Sequence, residues 1–542
     1  MPGKMFTPEL FRPVVDYPDI PYDQLLRMAA ERNPDRPAII YHDLILVYRE
    51  VVSMVNSIAN GLHELGIRKG DRICLCTGNR PESIITLNAA STIGAAVTPM
   101  NPLYKEREMA YQLENSEARA ILISREMLPL LQTVLSQAAL PNLKHVIVTG
   151  EHVPEDMPDA LPFAKLLRGA SPERPKQVEI SGNDLAVLTY SSGTTGLPKG
   201  TMLSHHNLTT NHLQFLTASG INSSDATLIF LPFYHIYGVL LTGSFLAAGA
   251  KQVIMERFEL EPVLELCEKH GVTWFFAVPP IISALANFPG ELNQMKTVKY
   301  IMAAAAPLPL ETARKLQERT GIRIVQAYGM TESSPITHLS PLDPEVIRLD
   351  SPGLPMNNTG QKIVDIETGE HEVPVGEDGE IIIRGQQVML GYWKAPEENA
   401  RALRDGWLYT GDIGHVDADG YLYIVDRKKE MIKYKGFSIA PAELEALLVE
   451  HPAVLDSAVV GVPDEEAGEI PKAFVILRGE YSVTIEELIT FVNGKLTGYK
   501  KLHEVEFVET LPRVPSGKIL RRELKELERA RRAVLKQRET AR

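Results

Sequence analysis

A chain of 542 residues is too long for one simple hydrophobic core, so two or more domains are expected. With 44% apolar and 23% charged residues it has the composition of an ordinary globular protein, and its formal net charge of -13 excludes nucleic acid as a general partner, because polyanion binding relies on clustered Lys and Arg. Three cysteines, Cys74, Cys76 and Cys267, are too few and too unevenly spaced for a disulfide framework or a zinc site, which suits a reducing compartment.

The N-terminal segment MPGKMFTPELFRPVVDYPDIPYD has no apolar h-region and does not resemble a signal or transit peptide, so a cytoplasmic protein is expected. Helical and strand-like patterns then alternate: a helix over 48–65, a strand over 72–76, a helix over 81–93 and a strand over 120–123, continued by strands at 143–148, 252–255, 272–277 and 300–303. Such alternation predicts an α/β fold, a parallel sheet layered with helices. Two stretches without Lys, Arg, Asp or Glu, 231–250 and 271–290, are long enough to span a bilayer. His235 and three glycines in the first and three prolines in the second make both interior elements of a large domain, and no membrane span is expected.

Beyond about residue 352 short strands and Gly-bearing turns predict a β-rich lobe, with strands at 380–384 and 420–425. Five consecutive charges, Asp426-Arg427-Lys428-Lys429-Glu430, then read as a solvated break before a compact α+β unit. That unit has helices at 441–449 and 485–494, strands near 454–462 and 473–478, and a basic tail. The tail, 518–542, holds ten Lys or Arg against four Glu and is expected to be a solvated terminal helix.

The stretch 189–200, TYSSGTTGLPKG, has eight Ser, Thr or Gly among twelve residues. Glycines let backbone N–H groups approach a polyphosphate, the hydroxyls of Ser191, Ser192, Thr194 and Thr195 can donate to it, and Lys199 adds a compact charge. It is not a Walker loop, since Lys199 lies between Pro198 and Gly200. It follows a strand-like run at 185–188, and a loop leaving a strand end is where α/β proteins hold ligands.

Five further segments carry polar groups in unusual company. They are LPFYHIY around His235, MAAAAPL at 302–308, QAYGMTE at 326–332 after a strand at 322–325, WLYTGD at 407–412, and LPRVPSGK ending at Lys518. A lone His among aromatics is more often a core residue, and 302–308 reads equally as a tight helix start. Tyr328 offers an aromatic face, Glu332 a hard oxygen ligand for Mg²⁺, and Asp412 an acceptor for ribose hydroxyls.

Taken together, TYSSGTTGLPKG, QAYGMTE, YTGD, DRKKEMIKYKGF and PRVPSGK resemble the adenylate-forming superfamily in their order and spacing, and IKYKGF followed by APAELE looks most like its acyl-CoA synthetase and coumarate-CoA ligase branch. The resemblance implies a large N-terminal AMP-binding domain (1–425), a hinge (426–430) and a small mobile C-terminal domain (431–542). It implies an AMP-forming ligase that joins a carboxylic acid to CoA through an acyl-adenylate, using ATP, Mg²⁺ and CoA. Lys518 would hold the carboxylate and α-phosphate. Ser191, Ser192, Gly193, Thr194, Thr195 and Lys199 would hold the β- and γ-phosphates, and Glu332 with Thr194 or Thr195 would hold Mg²⁺. Tyr328, Ala305, Gln326, Ala327, Gly329 and Thr331 would surround the adenine, with Asp412 and Arg427 on the ribose. Lys429 would be the pivot, with Lys433 on the face that serves thioester formation and Arg257, Lys435 and Gly436 along the CoA path. His235, Tyr237, Met302 and Ala304 would line the acyl pocket.

Family members commonly have SGAAPL where this chain has AAAAPL at 303–308, and plant coumarate ligases tend to place a Lys where Met302 stands. An apolar pocket of modest depth is therefore expected, for aryl or medium-chain acids, in a monomer or homodimer. A carrier-loading or amide-forming enzyme is the rival, but 231–241 lacks the acid that would bind an α-amino group. A non-catalytic homologue is the other, and it has no reason to keep Lys199, Glu332, Asp412, Lys433 and Lys518 together.

Overall fold

Short aliphatic and β-branched runs separated by helices can bury both strand faces only within layered sheets, and two such sheets make up most of the large N-terminal domain. The computed structural model describes residues 13–540 except 154–156, 177, 192–197, 436, 465, 480, 497–499 and 514–517. The first sheet runs, in spatial order, Leu354–Pro355, Ile336–Leu339, Arg323–Gly329, Tyr300–Ala303, Trp274–Ala277, Ala226–Ile229, Lys251–Ile254, Pro37–Tyr41 and Leu44–Val47. From Arg323–Gly329 to Pro37–Tyr41 the pairing is parallel. The second runs Gly391–Tyr392, Lys199–Ser204, Leu185–Ser191, Ala96–Pro99, Arg72–Cys76, Ala120–Ile123, His145–Val148 and Leu161–Pro162, parallel from Leu185–Ser191 onward.

The helix His205–Ser219 touches strands of both sheets and packs on Ile236–Ala247, every residue of which is buried. A helix apolar all round is a core helix. The uncharged stretch 231–250 is therefore interior, whereas 271–290 forms the buried strand Trp274–Ala277 and the helix Pro279–Asn287, which buries one face. No helix among the described residues is long and apolar enough to cross a membrane.

The β-rich lobe is an antiparallel sheet of Gly360–Val364, Gly379–Arg384, Trp407–Val416 and Leu403–Arg404, with Leu422–Arg427 paired on Trp407–Val416. The small C-terminal domain is a second mixed sheet, Phe437–Ile439, Ile432–Tyr434, Gly468–Leu477, Val454–Asp464 and Glu504–Phe507, with the helices Pro441–Val449, Ile485–Asn493 and Arg521–Thr540. The basic tail is a helix whose charge is partly consumed within its own domain. Arg531 and Arg532 pair with Glu506 and Glu504 at 2.7 Å, and Glu528, with a side chain 4% exposed, holds Lys472 at 2.8 Å.

Four differences from expectation bear on the site. The strand expected over 322–325 runs on as Arg323–Gly329, its end leaving the parallel neighbour to pair antiparallel with Ile336–Leu339. Only glycine fits at 329, since a Cβ there would lie 1.9 Å from the Pro335 carbonyl oxygen. Residues 199–204 form a strand antiparallel to Leu185–Ser191, so the Gly/Ser/Thr stretch closes a hairpin and the following helix starts only at His205, capped by Ser204 Oγ accepting from Asn207 N at 3.1 Å. The strand Leu422–Arg427 takes in the first two residues of the charged run. The segment 302–308 is no helix start: Ala305 has a left-handed φ of 74° and the helix begins at Leu310.

His205 accepts Tyr22 N–H through Nδ1 at 3.2 Å, and His212 stands edge-on to the Tyr22 ring at 5.4 Å. Burial pushes the two imidazoles down to about 4 and about 3, so both are neutral in the folded chain. An unfolded His takes a proton near pH 6.5, so the stability from keeping these rings neutral is present above 6.5 and lost as pH falls toward 4. Denaturant melts between pH 7.5 and 4 should show this loss, and His212→Gln should flatten the slope by about 1.4 kcal/mol per pH unit.

Candidate active site

Asp412 sits at an irregularity in the strand Trp407–Val416. Tyr409 pairs with Ile382 and Ile413 with Glu380, so 410–412 bulge from the ladder, with Gly411 at a φ of 70°. The WLYTGD motif thus carries a bulge, and it re-aims the carboxylate. Thr410 Oγ1 donates to Ile381 O at 2.7 Å and accepts Asp412 N–H at 3.0 Å, which fixes the backbone. Asp412 Oδ1 accepts from Arg427 Nε at 2.8 Å and Oδ2 from Tyr328 Oη at 2.6 Å, while the residue is 4% exposed. Asp412 raises the Arg427 guanidinium, and burial followed by the Asp412 charge raises the Tyr328 phenol well above its ordinary range.

A second cluster lies where the Gly391–Tyr392 strand pairs with Lys199–Ser204. Glu332, buried in the turn Thr331–Ser333, accepts Met389 N–H through its backbone carbonyl and Tyr392 Oη through Oε1, both at 2.8 Å. The Tyr392 ring centre is 5.6 Å from Lys199 Nζ, which pairs with Glu398 Oε2 at 2.6 Å. Trp393 N donates to Gly200 O at 2.7 Å, and glycine at 200 leaves room for Leu188, Tyr190 and Trp393, each 3.0–3.3 Å from where a Cβ would stand. Tyr392 and Glu398 belong to no motif picked out in the sequence. Only the antiparallel pairing of 391–392 with 201–202 brings them to Lys199.

His235 is the N-cap of Ile236–Ala247, its Nδ1 accepting Tyr237 N–H at 3.2 Å. That bond leaves the ring proton of the neutral imidazole on Nε2. Loss of water around the ring, then the Lys518 ammonium, pushes His235 down to about 4. Lys518 keeps contact with solvent, but the crowded cleft, and after it the Arg427 charge, pushes its ammonium down to about 8; Asp412 opposes that shift, while Lys429 and Arg521 add to it. Burial and Arg427 lower Lys429 in the same way. Lys518 thus faces His235 and Asp412 of the large domain across a cleft that also holds Arg427 and Lys429 of the charged run. Such a cleft can neutralise a polyphosphate and an acid bound together.

The remaining predicted site residues are spread more widely. Ala327 and Gly329 lie in the strand with Tyr328, Thr331 opens the turn that holds Glu332, and Gln326 donates through Nε2 to the Leu349 carbonyl. Ala304 is half-buried, Ala305 exposed, and Met302 fully buried in its strand. Tyr237 is 7% exposed and its hydroxyl has no hydrogen-bond partner among the described residues. Arg257 is on the surface, 2.5 Å from Glu259. Lys433 and Lys435 occupy an exposed hairpin of the small domain, Lys433 N donating to Glu469 Oε2 at 3.0 Å and Lys435 N to Ala467 O at 2.8 Å. Ser191 ends the strand Leu185–Ser191, whereas Ser192, Gly193, Thr194, Thr195 and Gly436 lie outside the described residues.

The family model for AMP-binding enzymes matches residues 26–393, and that for the AMP-binding enzyme C-terminal domain matches 443–518. The chain belongs to this AMP-binding enzyme family, in its acyl-CoA synthetase branch. It is 40% identical over 505 residues, 90% of each chain, to a 4-coumarate–CoA ligase of Vanilla planifolia. Its fold is similar to that of the anthranilate CoA ligase AuaEII in complex with anthranoyl-AMP, with a TM-score of 0.88 and 29% identity over 95% of this chain and 98% of that one. A benzoate CoA ligase from Burkholderia xenovorans LB400 is similar at a TM-score of 0.84 and 26% identity, over 93% and 100% of the two chains. The activity is that of an AMP-forming acyl-CoA synthetase, which consumes ATP and CoA.

Asp412→Ala leaves Arg427 and Tyr328 without their acceptor. Since the Arg427 side chain is one-third exposed, the expected loss is about 2 kcal/mol rather than that of a fully buried pair. Tyr328→Phe should cost about 1 kcal/mol, both read from urea titrations.

Proposed function

We propose that this synthetase activates an aryl carboxylic acid that carries a polar ring substituent, of the size of a hydroxycinnamate or benzoate. The observation that carries the reading is the Tyr237 hydroxyl, buried without a partner two residues from His235. A buried hydroxyl left unpaired is costly, and an aliphatic chain does not relieve it whereas a ring oxygen or nitrogen does. The names of its relatives, ligases of coumarate and anthranilate, support the polar substituent, and that of a benzoate ligase supports the aryl ring.

In the first step an acid oxygen bonds to the α-phosphorus of ATP, the bond to the β-phosphate bridge breaks, and pyrophosphate leaves. Lys518 would neutralise the acid and α-phosphate, and His235 Nε2–H would donate to the acyl oxygen. Lys199 and the 191–195 stretch would hold the terminal phosphates. Asp412 has lone pairs beyond the two it commits to Arg427 and Tyr328 and would accept from ribose hydroxyls, with the Tyr328 ring and Ala305 beside the adenine. The described residues contain no group of three or more His, Cys, Asp or Glu able to hold a metal, which fits Mg²⁺ bound through one carboxylate and the substrate phosphates, and Glu332 would be that carboxylate with Thr194 or Thr195. Mg²⁺ would supply charge neutralisation on those phosphates.

In the second step the CoA sulfur bonds to the acyl carbon and AMP leaves. We assign 426–430 as the hinge between 1–425 and 431–542, pivoting at Lys429, so that the exposed Lys433–Lys435 hairpin replaces Lys518 at the site and Lys435 with Arg257 meets the CoA phosphates. The three buried, unpaired cysteines support a reducing compartment such as the cytoplasm.

Two measurements test these assignments. Adenylation needs the charged form of Lys518, and a lysine lowered to about 8 loses its proton as pH rises through that value, so kcat/KM for acid-dependent pyrophosphate exchange should fall above pH 8. Lys518→Ala should lose about a hundredfold or more at neutral pH. Across a panel of aryl and straight-chain acids, ring-hydroxylated aryl acids should show the highest kcat/KM, and Tyr237→Phe should narrow that preference about tenfold. A wild-type preference for straight-chain acids would overturn the aryl reading.

A further inference from the structure

Lys199 is already paired. Its Nζ stands 2.6 Å from Glu398 Oε2, and the two side chains are 19% and 28% exposed, so the pair is partly withdrawn from water. Glu398 lies on the helix Pro396–Ala402, where its own-helix neighbour Arg401 is at 3.5 Å, farther than Lys199. The Lys199 hydrogen bond, the largest influence on the Glu398 carboxyl, holds it below the usual carboxylate range. Beneath the ammonium lies the Tyr392 ring, whose hydroxyl donates to Glu332. Lys199 also sits opposite Ser191, where the Gly/Ser/Thr hairpin loop closes. One glutamate therefore occupies the lysine expected to meet the terminal phosphates.

We infer that Glu398 is an internal counter-ion for Lys199 which the β- and γ-phosphates displace, and which retakes the lysine when pyrophosphate departs. This rests on the assignment of Lys199 to those phosphates. Without nucleotide, Glu398 neutralises a cation that would otherwise stand partly desolvated over an aromatic ring. With nucleotide, its carboxylate is a like charge beside the terminal phosphates and weakens their hold. Its effect falls on ligands that carry a pyrophosphate unit and not on AMP. Glu398 is thus a positioning residue acting through Lys199, set to limit retention of the leaving group.

Glu398→Gln keeps size and hydrogen-bonding capacity while removing the charge. In calorimetric titrations without the acid, the Kd of MgATP and of Mg-pyrophosphate should each fall about fivefold, the scale of a partly exposed ion pair, with the Kd of AMP unchanged. Glu398→Asp should restore wild-type affinities. In a Lys199→Met background, where competition for the ammonium is gone, Glu398→Gln should change the Kd of either ligand by less than twofold. Unchanged or weaker MgATP binding in Glu398→Gln, or an equal shift for AMP, overturns the inference while leaving Lys199 as a phosphate ligand. If Lys199→Met itself leaves MgATP and pyrophosphate binding intact, the phosphate assignment fails and this inference with it.

Discussion

One carboxylate joins the parts of this molecule that must act together. Asp412 projects from a bulge in the β-rich lobe and accepts at once from Tyr328, at the end of a strand of the first sheet, and from Arg427, the last residue of the strand that leads into the small domain. A two-point acceptor that is almost fully buried fixes the relative position of three segments whose sequence separation is large. Lone pairs remain on it after both bonds are made, so the group that holds the cleft together can also face a ligand.

Around that carboxylate the electrostatics are unbalanced. Arg427, Lys429 and Arg521 all push the Lys518 ammonium down, and crowding pushes it further, while Asp412 is the acid that opposes them. An excess of cations in a cleft is a standing attraction for anions, because an anion relieves a repulsion already built into the fold. His235 adds a neutral donor, because capping a helix through Nδ1 places its ring proton on Nε2. The Lys518 cation and the neutral His235 imidazole therefore act on one another across the cleft. Lys199 is arranged differently, held against Glu398 over the Tyr392 ring.

Much of the fold was legible because buried strands announce themselves locally. The runs 72–76, 120–123 and 300–303 are strands with the bounds read from the sequence, and the helix 441–449 likewise. Errors arose where a strand outlasted its own apolar run by pairing with a segment that folds back beside it. Gln326–Gly329 reads as loop chemistry, yet it is strand because Ile336–Leu339 folds back against it; Lys199–Ser204 is strand for the same reason. Of the residues the structure brings together, Tyr328, Asp412, Arg427 and Lys518 were already marked by their motifs. Tyr392 and Glu398 could not, since a tyrosine and a glutamate six residues apart carry no distinguishing pattern.

By itself, then, the sequence determined which segments are buried, which carry hydroxyls, acids and amines, and what chemistry those groups could support, because burial and side-chain type are properties of short windows. Only the tertiary structure decided which acid meets which base: Asp412 with Tyr328 and Arg427, Lys199 with Glu398, and Lys518 with the edge of the large domain. Those pairings depend on strand register and on the packing of one domain against another. Both are set by contacts tens to hundreds of residues apart, so no local window contains them.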